Sequence, residues 1–227
     1  MLRAESRNNT RPCFALKCDV RKFFDSVDHD ILLRILEQRI ADPDAMTLMR
    51  EIIGSYAADE RAGGGSMCGI PIGNLTSQIF ANIYMNEFDQ FVKHELKVKR
   101  YARYTDDFLI ISHDRKYLEY LLPRIDCFLR LRLNLNLHPQ KVSISPYHQG
   151  TDFLGYVMFP HHILVRGTTK RRMFRRLRER AEEYRSGRIS EEQFDASVRS
   201  YLGVLSHADA YEVGQELLNR LWLWQKQ

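Results

Sequence analysis

Two adjacent aspartates, Asp106 and Asp107, lie in a stretch whose residue types suit a β-hairpin. β-prone residues flank the pair on both sides and polar Thr105 precedes it, which predicts a turn between two strands. Adjacent carboxylates in a half-buried turn repel each other and raise each other's pKa, and a divalent cation removes this penalty. A lone Asp-Asp pair indicates little by itself, because such pairs are common in turns.

A third carboxylate, Asp19, lies near the end of a predicted strand over residues 13–20. Three carboxylates are oxygen donors that suit Mg²⁺ rather than zinc. Two such ions roughly 3.5–4 Å apart activate an attacking hydroxyl and stabilise a leaving oxyanion, which is the chemistry of nucleotidyl transfer. If the fold brings Asp19 to the turn, the three side chains therefore predict a two-metal site.

The hydrophobic spacing of the chain predicts the elements that have to position these carboxylates. Their order is a strand, two helices, a loop and a helix, a hairpin, a helix, two further strands and a helical C-terminal segment. This order favours an α+β fold with a sheet domain over residues 1–165 and a helical domain over 166–227. The local predictions are an N-cap at Asp42 with Pro43 at N1, a flexible turn over 61–67, and a kink or restart at Pro123 of the helix over 114–133.

Positive charge is concentrated near the start of the helical segment. The chain carries a net charge of +5, but residues 166–188 hold ten Lys or Arg against three acids, a local charge of +7. A solvated helix face is one interpretation of such a run. Its density and one-sidedness favour contact with the phosphates of a polyanion.

Other sequence features exclude several classes of protein. No run of about 18 apolar residues predicts a transmembrane helix, and the N-terminal residues contain no apolar secretory segment. We therefore expect no membrane partner. The four cysteines show neither a CxxC pair nor zinc-finger spacing, so we expect free thiols in a reducing cytoplasm.

Five segments between about Cys13 and Arg166 resemble the sequence motifs of reverse transcriptases, in the order and at spacings typical of that family. The segments are CDVRKFFDSVDHDIL from Cys18, GIPIGNLTSQIFANIYMNEFD from Gly69, YTDDFLI from Tyr104, HPQKVSI from His138 and DFLGY from Asp152. The resemblance implies a right-hand polymerase palm, an antiparallel sheet with helices on one face, followed by a small helical thumb. It implies RNA-directed DNA synthesis from dNTPs on a template RNA with a DNA or RNA primer, supported by two Mg²⁺ ions for which Mn²⁺ can substitute.

The same resemblance assigns roles to single residues. Asp19, Asp106 and Asp107 are the expected catalytic metal ligands, and Val20 is expected to offer its backbone carbonyl. Phe24 is expected to exclude a ribose 2′-hydroxyl, although core packing also explains a phenylalanine there. The remaining expected nucleotide contacts are Ile72, Gly73, Ser77, Gln78 and Lys141.

Three of these nucleotide contacts also have simpler explanations. Gly73 can serve a turn, Ser77 can be a helix N-cap, and Lys141 can be a solvated lysine rather than a residue near the leaving pyrophosphate. Asp25 and Asp28 are expected to be local caps, and Asp89 is expected to be solvated. The expected primer and template contacts are Tyr104, Phe153, Leu154, Gly155, Arg171, Arg172, Arg175 and Arg176.

Two substitutions in the nucleotide motif favour a subgroup. Reverse transcriptases commonly carry Gln-Gly-x-x-x-Ser-Pro, whereas this chain has Ile72 in place of the Gln and Gln78 in place of the Pro. This combination resembles the enzymes of diversity-generating retroelements, which make error-prone cDNA with a small basic accessory protein. The implied source is bacterial, archaeal or phage-encoded. The alternatives are a defence-associated or group II intron-like enzyme, and a non-catalytic fragment that binds RNA or protein.

Only about 18 residues precede Asp19, whereas the family normally places a fingers region before this motif. We therefore expect the fingers to be largely missing from these residues. Weak or absent polymerase activity of the isolated chain is the corresponding expectation.

Overall fold

The computed structural model describes residues 1–56, 59–60 and 67–226 of the 227-residue chain. The flexible turn predicted over 61–67 therefore lies outside the described residues except for Met67. The chain forms two compact units, Met1–Ser145 and Pro146–Gln227.

The first unit combines helices with a four-stranded sheet. Its elements are α1 (Leu2–Glu5), β1 (Phe14–Asp19), α2 (Phe23–Ser26), α3 (His29–Glu37), α4 (Pro43–Gly54), β2 (Asp59–Glu60), β3 (Met67–Cys68), α5 (Leu75–Gln90), β4 (Tyr101–Tyr104), β5 (Asp107–Ser112), α6 (Arg115–Leu133) and β6 (Ser143–Pro146). The strand order in the sheet is β4-β5-β1-β6, and β1 and β4 both pair antiparallel with β5. A short antiparallel pair, β2 with β3, lies outside this sheet.

One face of this sheet carries the main hydrophobic core. Alternate residues of β1 and β5 point to that face, where they pack with α3, α5 and α6. The fully buried side chains at its centre include Leu16, Phe88, Phe108, Ile110 and Leu118. An antiparallel sheet with its helices gathered on one face is the architecture that the sequence predicted.

Of the two local helix signals in the first unit, the N-cap acts as the sequence predicted and the proline does not interrupt its helix. Asp42 is the N-cap of α4 and accepts hydrogen bonds from Asp44 and Ala45, with Pro43 at N1. Pro123 does not restart α6, which continues from Arg115 to Leu133. Pro123 lies on the exposed side of the helix, where water can hydrate the carbonyl that loses its partner.

The second unit contains a three-stranded antiparallel sheet followed by three helices. A separate hydrophobic cluster, which includes Met173, Leu177, Phe194 and Leu217, holds the helices together. The elements are β7 (Thr151–Phe153), β8 (Tyr156–Met158), β9 (Ile163–Val165), α7 (Gly167–Arg185), α8 (Glu191–Leu205) and α9 (Tyr211–Lys226).

The division between the units differs from the predicted boundary at residue 165. The small sheet groups with the C-terminal helices because its strands are hydrogen-bonded to them. Tyr156 donates its hydroxyl to the carbonyl of Val204, and Ile163 exchanges hydrogen bonds with Asp209. The hydrophobic spacing shows the strands but not these long-range partners.

None of the helices described is long and apolar enough to cross a membrane.

Candidate active site

Asp19 and Asp107 are cross-strand partners at one end of the sheet. The antiparallel register of β1 and β5 places these two residues directly opposite each other. Their strand neighbours Cys18 and Phe108 point to the opposite, helix-covered face and are fully buried. Side chains that are opposite each other across two strands are about 5 Å apart at Cβ, so the two carboxylates share one small region.

Asp106 lies in the two-residue turn that joins β4 to β5, where the sequence predicted a hairpin. Tyr104 pairs with Asp107, which leaves Thr105 and Asp106 as the turn. Thr105 has φ +54°, an unfavourable left-handed conformation for a β-branched residue. The amide of Val20 donates to the carbonyl of Asp106 at 3.3 Å, so β1 is tied to the turn.

Two lysines compensate the opposed carboxylates. Lys141 donates to both oxygens of Asp19, at 3.1 Å to Oδ1 and 3.0 Å to Oδ2. The ammonium of Lys17 lies 3.7 Å from Oδ2 of Asp107. The side chain of Lys141 is 55% exposed, so it is a solvent-accessible lysine that also forms an ion pair with the first aspartate.

Asp106 has a perturbed carboxyl group. Burial is the main cause that raises its pKa above the ordinary value of an aspartate, and the negative charge of Asp19 raises it further. The backbone hydrogen bond and the charge of Lys141 act in the opposite direction without cancelling the rise. Asp19 and Asp106 are thus close enough for their charges to interact.

The donor set fits a hard divalent cation. Carboxylate oxygens are preferred Mg²⁺ ligands, and mutual repulsion of the kind that raises the pKa of Asp106 falls when a cation binds. Across the residues that the structure describes, no three His, Cys, Asp or Glu side chains are already arranged around a common metal position. Lys141 and Lys17 hold two of the carboxylates instead, so cation binding requires these ion pairs to open.

A neighbouring loop carries the predicted nucleotide contacts. The amide of Ile70 donates to the carbonyl of Phe24, and the amide of Gly69 donates to that of Val27, both at 2.8 Å. These bonds attach the loop before α5 to the segment after β1. The half-buried ring of Phe24 packs edge-on against Phe23, which is the packing role that the sequence also allowed.

The exposed part of this loop contains Ile72 and Gly73. Ile72 is 76% exposed, which is unusual for an isoleucine in a folded unit. Gly73 has φ +101°, so the turn itself requires glycine at this position. The side chain of Gln78 is also exposed, one turn into α5.

Ser77 is not a helix N-cap. Asn74 occupies the N-cap position of α5, and Ser77 lies in the first turn with its side chain buried. The hydroxyl of Ser77 has no hydrogen-bond partner among the residues described. A buried hydroxyl of this kind next to an exposed loop can serve as a donor or acceptor for a bound group.

The second unit contains the other predicted contacts. Phe153 pairs with Tyr156, so Leu154 and Gly155 form the turn between β7 and β8. Leu154 has φ +53° and is 47% exposed. The strained conformation of this exposed apolar residue is not explained by packing, and its contact with the primer stays a prediction.

The basic helix α7 exposes the arginines that the sequence singled out. Met173, Phe174 and Leu177 form its buried side, whereas Arg171, Arg172, Arg175 and Arg176 face solvent. Arg175, Arg178 and Arg180 are paired with glutamates three or four residues later in the same helix. Within the described part of the chain, Arg171, Arg172 and Arg176 form no ion pair.

Two acidic residues near the site behave differently from each other. Asp28 caps α3 through Ile31, as expected, and its other oxygen accepts from Asn134.

Asp89 is not solvated, which corrects the sequence-based expectation. It forms a bidentate ion pair with Arg103, with contacts of 2.8 and 2.6 Å. Sequence spacing missed this pair because its members lie on a helix and on a strand 14 residues apart.

Comparison with known proteins supports one family. The model of the family described as reverse transcriptase (RNA-dependent DNA polymerase) matches residues 2–158. Protein YkfC of Escherichia coli is 26% identical over 179 residues, which cover 65% of this chain and 47% of that protein. The group II intron-encoded protein LtrA of Lactococcus lactis is 21% identical over 200 residues, covering 61% of this chain and 33% of LtrA.

Comparison with solved structures shows a shared fold. An apo telomerase from Candida tropicalis, truncated at its C-terminal domain, aligns with a TM-score of 0.53 and 13% identity. The alignment covers 72% of this chain and 38% of the telomerase. The chain thus spans less than half the length of these relatives.

Proposed function

The chain belongs to the reverse transcriptase family, and we propose that Asp19, Asp106 and Asp107 support RNA-directed DNA synthesis. The observation that carries the proposal is the register that sets Asp19 opposite Asp107, with Asp106 in the adjoining turn. Three carboxylates at one strand end form the anionic pocket that two Mg²⁺ ions require.

Different residues of the chain have different roles in the proposed nucleotidyl transfer. The three aspartates, with the backbone carbonyl of Val20, would hold two Mg²⁺ ions, or Mn²⁺ in their place. Bound metal supplies activation of the primer hydroxyl and stabilisation of the leaving oxyanion. Lys141, once released from Asp19, lies near enough to the site to neutralise the leaving pyrophosphate or to give it a proton.

We assign the loop before α5 to the binding of the incoming dNTP. Its hydrogen bonds to the carbonyls of Phe24 and Val27 place Phe24 beside it, so the ring can exclude a 2′-hydroxyl by steric contact. Ile72, Gly73, Ser77 and Gln78 supply the rest of the surface. In the second unit, Leu154 at its turn contacts the primer and the arginines of α7 contact duplex phosphates.

Primer extension tests the proposal. The protein is given an RNA template, a DNA primer and dNTPs, with Mg²⁺, with Mn²⁺ or with EDTA. Because the fingers are expected to be largely missing, we expect only weak extension by the isolated chain, in either metal, and none in EDTA. Extension that persists in EDTA would rule out metal-dependent catalysis by the carboxylates.

Two subgroups are supported by different observations. Ile72 and Gln78 favour a diversity-generating retroelement enzyme, which copies RNA with errors opposite adenine and works with a small basic accessory protein. The similarity to LtrA favours a group II intron-like enzyme. The exposed position of Ile72 makes the first proposal testable, because its side chain can be changed without disturbing the core.

Changing Ile72→Gln is expected to reduce misincorporation opposite template adenine about tenfold. A glutamine restores a polar contact near the template–nucleotide pair, and a difference of about 1.4 kcal/mol between right and wrong nucleotides is tenfold in selectivity. Sequencing of cDNA copied from a defined RNA measures the effect. Ile79→Gln, also exposed but one turn into α5, is the matched control. Equal error rates in Ile72→Gln and the parent protein would contradict the retroelement assignment.

The raised pKa of Asp106 predicts a gain in stability on neutralisation. A carboxyl whose pKa is raised by folding lowers the free energy of unfolding at pH values where the carboxyl is ionised. This destabilisation disappears as the pH falls and the carboxyl becomes protonated. Because Asp106 is only half-buried, Asp106→Asn is expected to add only about 0.5 kcal/mol to the free energy of unfolding at pH 7. The gain should shrink as the pH approaches 4.

Urea unfolding in EDTA at both pH values measures this effect. Asp126→Asn, an exposed aspartate of α6, is the control and should show no comparable gain at pH 7. A loss of stability in Asp106→Asn at pH 7 would contradict the predicted sign.

A further inference from the structure

Asp89 near the end of α5 is the centre of a partly buried polar cluster. Its Oδ1 accepts from the hydroxyl of Tyr101 at 2.7 Å and from Nε of Arg103 at 2.8 Å, while Oδ2 accepts from Nη2 of Arg103 at 2.6 Å. Burial raises the pKa of Tyr101 well above its usual range, and the hydrogen bond to Asp89 raises it further, so this hydroxyl remains a donor. The carboxylate of Asp89 thus fixes the guanidinium in a bidentate geometry.

The remaining nitrogen of Arg103 reaches the catalytic turn. Nη1 donates to the carbonyl of Thr105 at 2.9 Å and lies 3.4 Å from Oδ1 of Asn82. The side chain of Arg103 is only 9% exposed. A single guanidinium therefore joins helix α5 to the residue that immediately precedes Asp106.

The sheet separates Arg103 from the substrate side. Arg103 is opposite Phe108, and both point to the face covered by helices. Tyr104 and Asp107 form the next pair and point to the other face, where Asp19 also lies. Arg103 thus contacts the turn from the helix-covered side and does not share the face of the carboxylates.

The turn needs such support because its backbone is strained. A left-handed conformation costs an L-residue roughly 1–2 kcal/mol, and a β-branched residue such as Thr105 adopts it rarely. Strained residues persist when the surrounding structure holds them. The carbonyl of Thr105 is held by Arg103, and that of Asp106 is held by the amide of Val20.

We propose that Arg103, fixed by Asp89, is a positioning residue that holds the Thr105–Asp106 turn so that the carboxylates of Asp106 and Asp107 meet Asp19. The importance of this role for catalysis rests on the proposed function. A lysine cannot replace the arginine, because one ammonium cannot make both the bidentate contact with Asp89 and the directed bond to Thr105. The pair also links the helix that follows the nucleotide loop to the metal-binding turn.

Arg103→Lys and Asp89→Asn test this role with two readouts. In metal-free protein, amide hydrogen exchange of Thr105, Asp106 and Asp107 should be at least fivefold faster in both variants, with exchange in α6 unchanged. Mn²⁺ affinity, measured by the spectrum of free Mn²⁺ in electron paramagnetic resonance, should fall about tenfold. In primer extension, kcat should fall about tenfold while the KM for primer–template changes less than twofold.

Two controls separate positioning from general stability. Tyr101→Phe removes a hydrogen bond to Asp89 but no contact with the turn, so it should lower the melting temperature and leave Mn²⁺ affinity within twofold. Arg115→Lys alters the exposed ion pair with Glu119 on α6 and should change neither the melting temperature nor the Mn²⁺ affinity. Unchanged turn exchange in Arg103→Lys, or equal losses of Mn²⁺ affinity in Tyr101→Phe and Arg103→Lys, would overturn the proposal.

The hydrogen-exchange readout needs neither metal nor activity. A wild-type protein that fails to bind Mn²⁺ or to extend a primer counts against the proposed function alone. In that case faster turn exchange in Arg103→Lys still supports the positioning role, and unchanged exchange still overturns it.

Discussion

Replacing both Asp106 and Asp107 with asparagine is expected to reduce dNTP incorporation by at least about 10³-fold. Lewis-acid stabilisation by bound metal is worth several kcal/mol, and each 1.4 kcal/mol of lost stabilisation lowers the rate about tenfold. Asparagine keeps the size of both side chains, so β5 and its register with β1 should be retained. Primer extension on an RNA template, measured in Mg²⁺ and in Mn²⁺, gives the rate.

The matched control is Asp126→Asn, which neutralises an exposed aspartate of α6. This variant should extend the primer at the parent rate, and circular dichroism should show that all three proteins are folded. Equal incorporation by the double variant and the parent protein would contradict the assignment of the metal site.

Replacing Arg171, Arg172 and Arg176 with glutamine is expected to weaken duplex binding by about two orders of magnitude at low salt. Each arginine that neutralises a phosphate contributes about 0.9 to the slope of log affinity against log salt. The triple change should therefore reduce the slope by about 2 to 3. Fluorescence anisotropy of a labelled RNA–DNA hybrid, titrated at several salt concentrations, measures both quantities.

Arg178 and Arg180 provide the matched control within the same helix. Their guanidinium groups are 3.2 and 2.9 Å from glutamate oxygens of α7, so they are already neutralised. Arg178→Gln together with Arg180→Gln should change the salt slope by less than about 1. A larger loss in this control than in the triple variant would show that α7 does not contact the duplex in the proposed way.

Local patterns predicted the parts of the active site that depend on neighbouring residues. The β-prone arms around Thr105, Asp106 and Asp107 predicted the hairpin, and the structure has a two-residue turn there. The order of Asp42 and Pro43 likewise predicted the start of α4. The conformation of a turn or a helix start depends on a few neighbouring residues, so it can be predicted directly from the sequence.

Long-range partners were harder to predict. Asp89 has no local motif, and its bidentate contact with Arg103 exists only because α5 packs on the sheet. The ion pair of Lys141 with Asp19 spans 122 residues, and the contact of Lys141 with the triphosphate that the resemblance implied stays a prediction. Side-chain geometry across packed elements determines these contacts, and spacing along the chain does not encode it.

The ion pair between Lys141 and Asp19 has a consequence for how the site fills. A divalent cation that binds Asp19 competes with the ammonium of Lys141 for the same carboxylate. Because Lys141 belongs to the same chain, the effective concentration of its ammonium at Asp19 is high. The apparent affinity for the cation is lowered accordingly. In return, the ion pair gives the carboxylate of Asp19 a counter-ion, and a cation held by Asp19 would leave the ammonium of Lys141 available to an incoming anion.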